Sequence, residues 1–176
     1  MSPGRLSGEG DTPVHLTIGV TGHRDLLPAE IPELREKVRD FFKQLKSDFP
    51  DLEPQLITPL AEGSDRLVAD VALDLGYELI VPLPMSQADY EMDFSSPDAV
   101  NAFRDSLSKA RVVYLRSLNK DPGASPNEEE RKRQYAQMGT FISNHSQVLL
   151  ALWDGKPSLE IGGTASVVNY HLTAVM

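Results

Sequence analysis

Five short, continuous apolar runs rich in β-branched residues, at 14–20, 55–60, 77–83, 112–115 and 148–153, alternate with segments whose apolar residues recur at helical spacing. Continuous rather than alternating apolarity predicts strands covered on both faces. Over 28–49, Ile31, Leu34, Val38, Phe41, Phe42 and Leu45 fall on one helical side, leaving Arg35, Glu36, Arg39 and Lys43 for solvent. A second helix starts at Ser64, carries Leu67, Val68, Val71, Ala72 and Leu75 inward, and stops at Gly76. Helices are further predicted over 98–109 and over 128–145, the latter with Tyr135, Met138, Phe141 and Ile142 on one side, and after Gly162-Gly163-Thr164. Strand and helix in strict turn predict a three-layer α/β/α, doubly wound parallel sheet of about five strands. Pro82 and Pro84 place the third strand near a sheet edge or fray its end, and the stretch 117–127 reads as a mobile loop.

With 176 residues, 40% of them hydrophobic, the chain can bury one sizeable core, so residues 13–176 are expected to form a single domain. Residues 1–12 read as a disordered leader. The last residues lie in or just after a helix where such sheets often continue, so a piece of a longer protein is the expectation. There is no cysteine, which excludes disulfides, thiolate zinc sites and cysteine nucleophiles. Neither a membrane-spanning run nor a signal-peptide pattern occurs, and a cytoplasmic location is expected. The formal charge of −9 argues against nucleic acid and anionic lipid as partners. No histidine–carboxylate grouping has metal-ligand spacing, so neither a metal nor a cofactor is expected.

Ligands of an open parallel sheet settle beyond the carboxyl ends of its strands. Thr21, Gly22, His23 and Arg24 follow the first strand there; Glu62, Gly63, Asp65 and Arg66 follow the second; Asp154, Gly155, Gly162, Gly163 and Thr164 follow the fifth. The Gly-Gly-Thr step opens a helix whose free N–H groups suit a phosphate. Thr21 and Gly22 add a hydroxyl and a backbone donor, and Arg24 a cation. Glu62 or Asp65 would accept from ribose hydroxyls, and His23 is an edge contact or acid/base group. The segment 85–94, with Tyr90, Asp93 and Phe94, would close as a lid. Each motif also has a plain structural explanation: Gly22 and Gly63 as turn residues, Ser64 as a helix cap, Asp65 and Arg66 as first-turn charges. Neither GxGxxG nor GxxxxGK[ST] is present. His15 and His145 are expected to be packed and hydrogen-bonded, His171 exposed, and Trp153 in the core or walling a pocket.

Taken together, Gly-Val-Thr-Gly-His-Arg-Asp-Leu at 19–26, Leu-Ala-Glu-Gly-Ser-Asp-Arg-Leu at 60–67, Val-Leu-Leu-Ala-Leu-Trp-Asp-Gly at 148–155 and Gly-Gly-Thr-Ala at 162–165 resemble the SLOG superfamily. This Rossmann-like group includes DNA-processing protein A and the LOG phosphoribohydrolases. The resemblance implies binding of a nucleotide-derived small molecule, ADP-ribose-like or cyclic, in a signalling sensor, and by analogy a homo-oligomer. The hydrolase branch carries Pro-Gly-Gly-x-Gly-Thr-x-x-Glu; here Gly162-Gly163-Thr164 lacks the intervening residue and Val167 stands at the glutamate position. Valine cannot move a proton, so binding is favoured. The alternatives are a nucleotide N-glycosidase using Glu62, Asp65 or Asp154, and a ligand-free interaction module.

Overall fold

A computed structural model describes residues 14–119, 121, 124–157 and 162–174. The leader predicted over 1–12 lies outside them, as do three residues of the 117–127 loop. The described residues run β1 (His15–Gly22), α1 (Ile31–Asp48), β2 (Glu53–Ile57), α2 (Ser64–Asp74), β3 (Glu78–Leu83), α3 (Gln87–Glu91), α4 (Pro97–Leu107), β4 (Arg111–Tyr114), α5 (Glu128–Asn144), β5 (Val148–Leu152) and α6 (Thr164–Thr173). All five strands are parallel, in the order β4-β3-β2-β1-β5.

Side-chain alternation along the strands divides the core between two faces. Leu16, Ile18 and Val20 of β1, with Leu56, Leu79, Val81 and Leu83, pack against Val38 and Phe42 of α1 and Val68 and Val71 of α2. The intervening residues Ile57 and Ile80 meet Met138 and Ile142 of α5 on the other side. Gly19 lets α5 approach β1 closely, since a Cβ there would lie 2.6 Å from Ser146 Oγ and 2.9 Å from Ile142 Cγ2. These contacts make the three layers. Phe42 is fully buried, its ring 4.7 Å from that of Tyr77, whose hydroxyl donates to the Phe42 carbonyl at 3.0 Å; Phe42→Ala would cost about 3–5 kcal/mol.

The chain steps outward from β1 to β4 and then returns to lay β5 on the free side of β1, pairing Thr21 with Ala151 and Gly22 with Leu152. The strand order therefore reverses between β1 and β5, and a crevice opens at their carboxyl ends.

Three expectations need amendment. The segment after β3 contains a short helix, α3, capped by Ser86, whose hydroxyl accepts from Asp89 N at 3.1 Å. Five residues are too few to show a helical period. β3 lies near the sheet edge, as expected, one strand in, with Pro82 in register with Val113 of the edge strand. His145 is exposed, although it stacks on Phe141 and its Nδ1 lies 2.8 Å from the Phe141 carbonyl. His171 is half-buried, its Nδ1 2.9 Å from Ser143 Oγ. Among the described residues no helix is long and apolar enough to cross a membrane.

Candidate functional site at the β1–β5 switch point

The crevice is built by pinning one loop. His23 N donates to the Leu152 carbonyl at 3.1 Å, tying the end of β1 to β5. The His23 carbonyl in turn accepts from Ser64 N at 3.1 Å and Ser64 Oγ at 2.8 Å, tying it to the start of α2. Such proximity requires missing side chains. A Cβ on Gly22 would lie 2.5 Å from Ser64 Oγ and 2.8 Å from the Leu152 carbonyl, and one on Gly63 would lie 2.6 Å from the Arg24 carbonyl carbon. Gly63 also has a φ of 81°, which favours glycine. Just before it, the fully buried Leu60 takes a φ of 60°, backbone strain on the order of 1–3 kcal/mol at the end of β2.

Above this loop lies a cavity of about 910 Å³. Thr21, Gly22, His23 and Arg24 form its floor, Asp65 of α2 and Tyr90 and Asp93 one wall, Arg131, Tyr135, Met138 and Gly139 of α5 another. Trp153 and Asp154 after β5, with Gly163, Thr164 and Ala165, complete it. Helix α6 begins here with Gly163 as its N-cap, a residue with no side chain to cap the first turn. Gly162 holds that end against α5, where a Cβ would lie 2.9 Å from Ala136 N. The first-turn N–H groups of this ten-residue helix give the cavity a partial positive charge.

Fixed charges are arranged around it. Asp65 is 5% exposed, and burial raises its pKa from 3.8 to about 7, opposed by the Ala61 backbone donor and by Arg24 and Arg66. Burial works to lower the pKa of Arg24, yet Tyr135, Tyr90 and Asp93 hold it above its ordinary value. Asp154 is pulled far down, first by hydrogen bonds from Lys156 and then by His23, whose Nε2 is 3.2 Å from Asp154 Oδ1. Burial and the hydrogen bond to Asp93 raise the pKa of Tyr135. Among the described residues no group of three or more His, Asp or Glu side chains could hold a metal.

Of the positions singled out from sequence, Thr21, Gly22, His23, Arg24, Asp65, Asp154, Gly162, Gly163 and Thr164 line this one cavity. Glu62, Gly63, Arg66 and Gly155 do not. Glu62 accepts from Ser95 N at 3.1 Å and from Ser95 Oγ at 2.5 Å. Arg66 donates to the Leu60 carbonyl at 3.2 Å and lies 4.6 Å from the centre of the Phe94 ring. Sequence reasoning missed the α5 wall. Arg131, Tyr135, Met138 and Ile142 repeat at three- and four-residue steps and could have been found as one stripe that is polar at its first turn. The segment expected to act as a lid is a latched wall. Arg24 Nη1 donates to the Asp93 carbonyl at 3.3 Å, Arg131 Nη2 to the Asp89 carbonyl at 2.7 Å, and the hydroxyl of the fully buried Tyr90 to the Pro59 carbonyl at 3.1 Å.

Fold and crevice together define a Rossmann-like α/β protein with a cleft at its topological switch point. No family model matches the chain, and no curated protein matches its sequence. Two solved structures share its fold. DNA processing protein A from Streptococcus pneumoniae superposes with a TM-score of 0.58 at 13% identity, covering 90% of this chain and 47% of that one. DNA processing protein A from Helicobacter pylori gives 0.56 at 15% identity, covering 90% of this chain and 63% of that one. The chain thus spans less than two thirds of either neighbour, and the likeness is one of fold.

These neighbours overturn the exclusion of nucleic acid. The Helicobacter pylori protein, which shares this fold, has a single-stranded DNA binding mode. The −9 charge is a sum over the whole surface and is blind to local clusters. Arg24, Arg131, Lys132 and Lys156 line the cavity beside Asp65, Asp93, Glu128 and Asp154, so its lining is mixed in charge where the whole chain is acidic.

Proposed function

We propose that the switch-point cavity binds a phosphate-bearing nucleotide or nucleotide derivative, and that the chain is a SLOG-type sensor domain whose occupancy is read out in signalling. One observation carries this: the glycine-led amino end of α6, the Arg24 guanidinium and the buried Asp65 face a single cavity at the point where strand order reverses. The phosphate sits on the α6 N–H groups with Arg24 and Thr21 beside it. Asp65 accepts from ribose hydroxyls. Trp153, Met138 and Ile142 offer apolar surface to the base. Glu62 is left out of the ribose contact because both its oxygens are engaged by Ser95. Binding is preferred to glycoside hydrolysis because Val167, 4% exposed, occupies the position of the hydrolase glutamate.

A second reading has its own support in the DNA-binding neighbour: the cleft takes one nucleotide of a single strand. Calorimetric titration with ADP-ribose, cyclic nucleotides, nucleoside monophosphates and oligothymidylates separates the two. The sensor reading expects saturable binding of a mononucleotide-sized ligand. The strand reading expects affinity that rises with oligomer length and falls steeply with salt. Folded protein silent to the whole panel would dismiss both.

A further inference from the structure

The geometry points to Asp93 as an internal competitor for the ligand's phosphate, so that an anion entering the cavity unlatches the turn after α3. This rests on the proposed reading of the cavity as an anion-binding nucleotide site and adds how occupancy is sensed. Asp93 lines the cavity, and its side chain is 25% exposed. One carboxylate oxygen accepts from the Tyr135 hydroxyl and the other from Arg131 Nη2 at 2.8 Å. Its carbonyl accepts from Arg24 at 3.3 Å, and Arg131 also holds the Asp89 carbonyl at 2.7 Å. Two guanidiniums that face the cavity therefore spend donors on one short stretch of chain.

A phosphate drawn to the α6 amino end meets those guanidiniums already engaged and a carboxylate of its own sign nearby. To gain them it must displace Asp93, because like charges sharing one cation pair repel in a partly desolvated site. Tyr90 is fully buried and stays as the pivot. Beyond it Glu91 is fixed by Arg104 at 2.5 Å and Phe94 by the Tyr90 and Phe103 rings, so the loosely held stretch is Met92-Asp93, where Met92 is 75% exposed and Asp93 N reaches the Tyr90 carbonyl at 3.1 Å. Loss of the Asp93 contacts would free Met92 and Asp93 between those anchors and change the surface presented there.

The test uses the full chain, 5′-AMP and ADP-ribose as probes, and two readouts. Asp93→Asn retains shape and one acceptor oxygen but removes the competing charge, so it should bind the probes about fivefold tighter or better. In wild-type protein, hydrogen exchange at the Asp93 amide should speed up on adding the probe, whereas the amides of Thr164 to Ser166 slow down. A variant that binds equally or more weakly, or a turn that becomes protected on binding, overturns the inference while leaving the nucleotide site standing. Failure of both proteins to bind either probe, with inorganic phosphate also silent, removes the site reading and this inference with it.

Discussion

Gly63→Ala is the most demanding perturbation of the loop that carries Arg24. Gly63 has φ 81° and ψ −120°, a combination that L side chains avoid at a cost of about 1–3 kcal/mol. The added Cβ would overlap the Arg24 carbonyl oxygen outright and lie 2.7 Å from the His23 carbonyl oxygen. The His23 carbonyl is held by Ser64 N at 3.1 Å and Ser64 Oγ at 2.8 Å, so moving this stretch of backbone aside requires breaking both bonds, about 1 kcal/mol each. The total is about 3–5 kcal/mol, a loss of roughly 6–20 °C in melting temperature for a chain of this size. Gly76→Ala is the internal control, since Gly76 has φ 77° but open space around its Cβ position. It should lose only the backbone contribution, about 1 kcal/mol. Thermal melts followed by far-UV circular dichroism measure both. Should the two variants melt within about 2 °C of each other, the close approach of the β1 loop to α2 would be refuted.

Other consequences follow from the charges. The unfolded chain sheds the Asp65 proton near 3.8 and the folded chain near 7, so the folded state holds more protons in between and stability falls as pH rises through that window. Asp65→Asn should therefore melt above wild type at pH 8 and lose that advantage toward pH 4, as melts across the range will show. Arg24→Ala should weaken 5′-AMP binding about tenfold or more in calorimetry, because it removes the cation on the cavity floor. Glu62→Gln should leave the same affinity within about twofold, its partner being Ser95 outside the cavity.

The layered fold was legible because its determinants are local: continuous apolar strands, one-sided helices, and Gly or Ser at their ends. Ile18 and Leu56 announced buried strands, and they are fully buried. What stayed hidden depends on contacts between residues far apart in sequence. Nothing in the string Ala-Glu-Gly-Ser-Asp-Arg says that Asp65 turns into the cavity while Glu62 and Arg66 turn to Ser95 and Phe94. α3 was unreadable for a related reason. Five residues carry no period, and the helix is held by Tyr90 packing edge-on to Phe94 and Phe103, at 5.3 and 5.6 Å. Tyr135 read only as part of the helix's apolar side and Arg131 went unmarked, because only the crossover that brings α5 beside Asp93 turns them into a wall. Net charge misled most directly, by averaging over positions that never meet.

The central claim is that one cavity between β1, α5 and α6 receives a nucleotide phosphate, and a residue-resolved amide titration by NMR tests it most directly. With 5′-AMP or ADP-ribose added, the account predicts that the largest shifts fall on residues 21–24, on Asp154 and on the first turn of α6 at 163–166, saturating together. Shifts confined to other surfaces, or none in any of these three segments at saturating nucleotide, would contradict it.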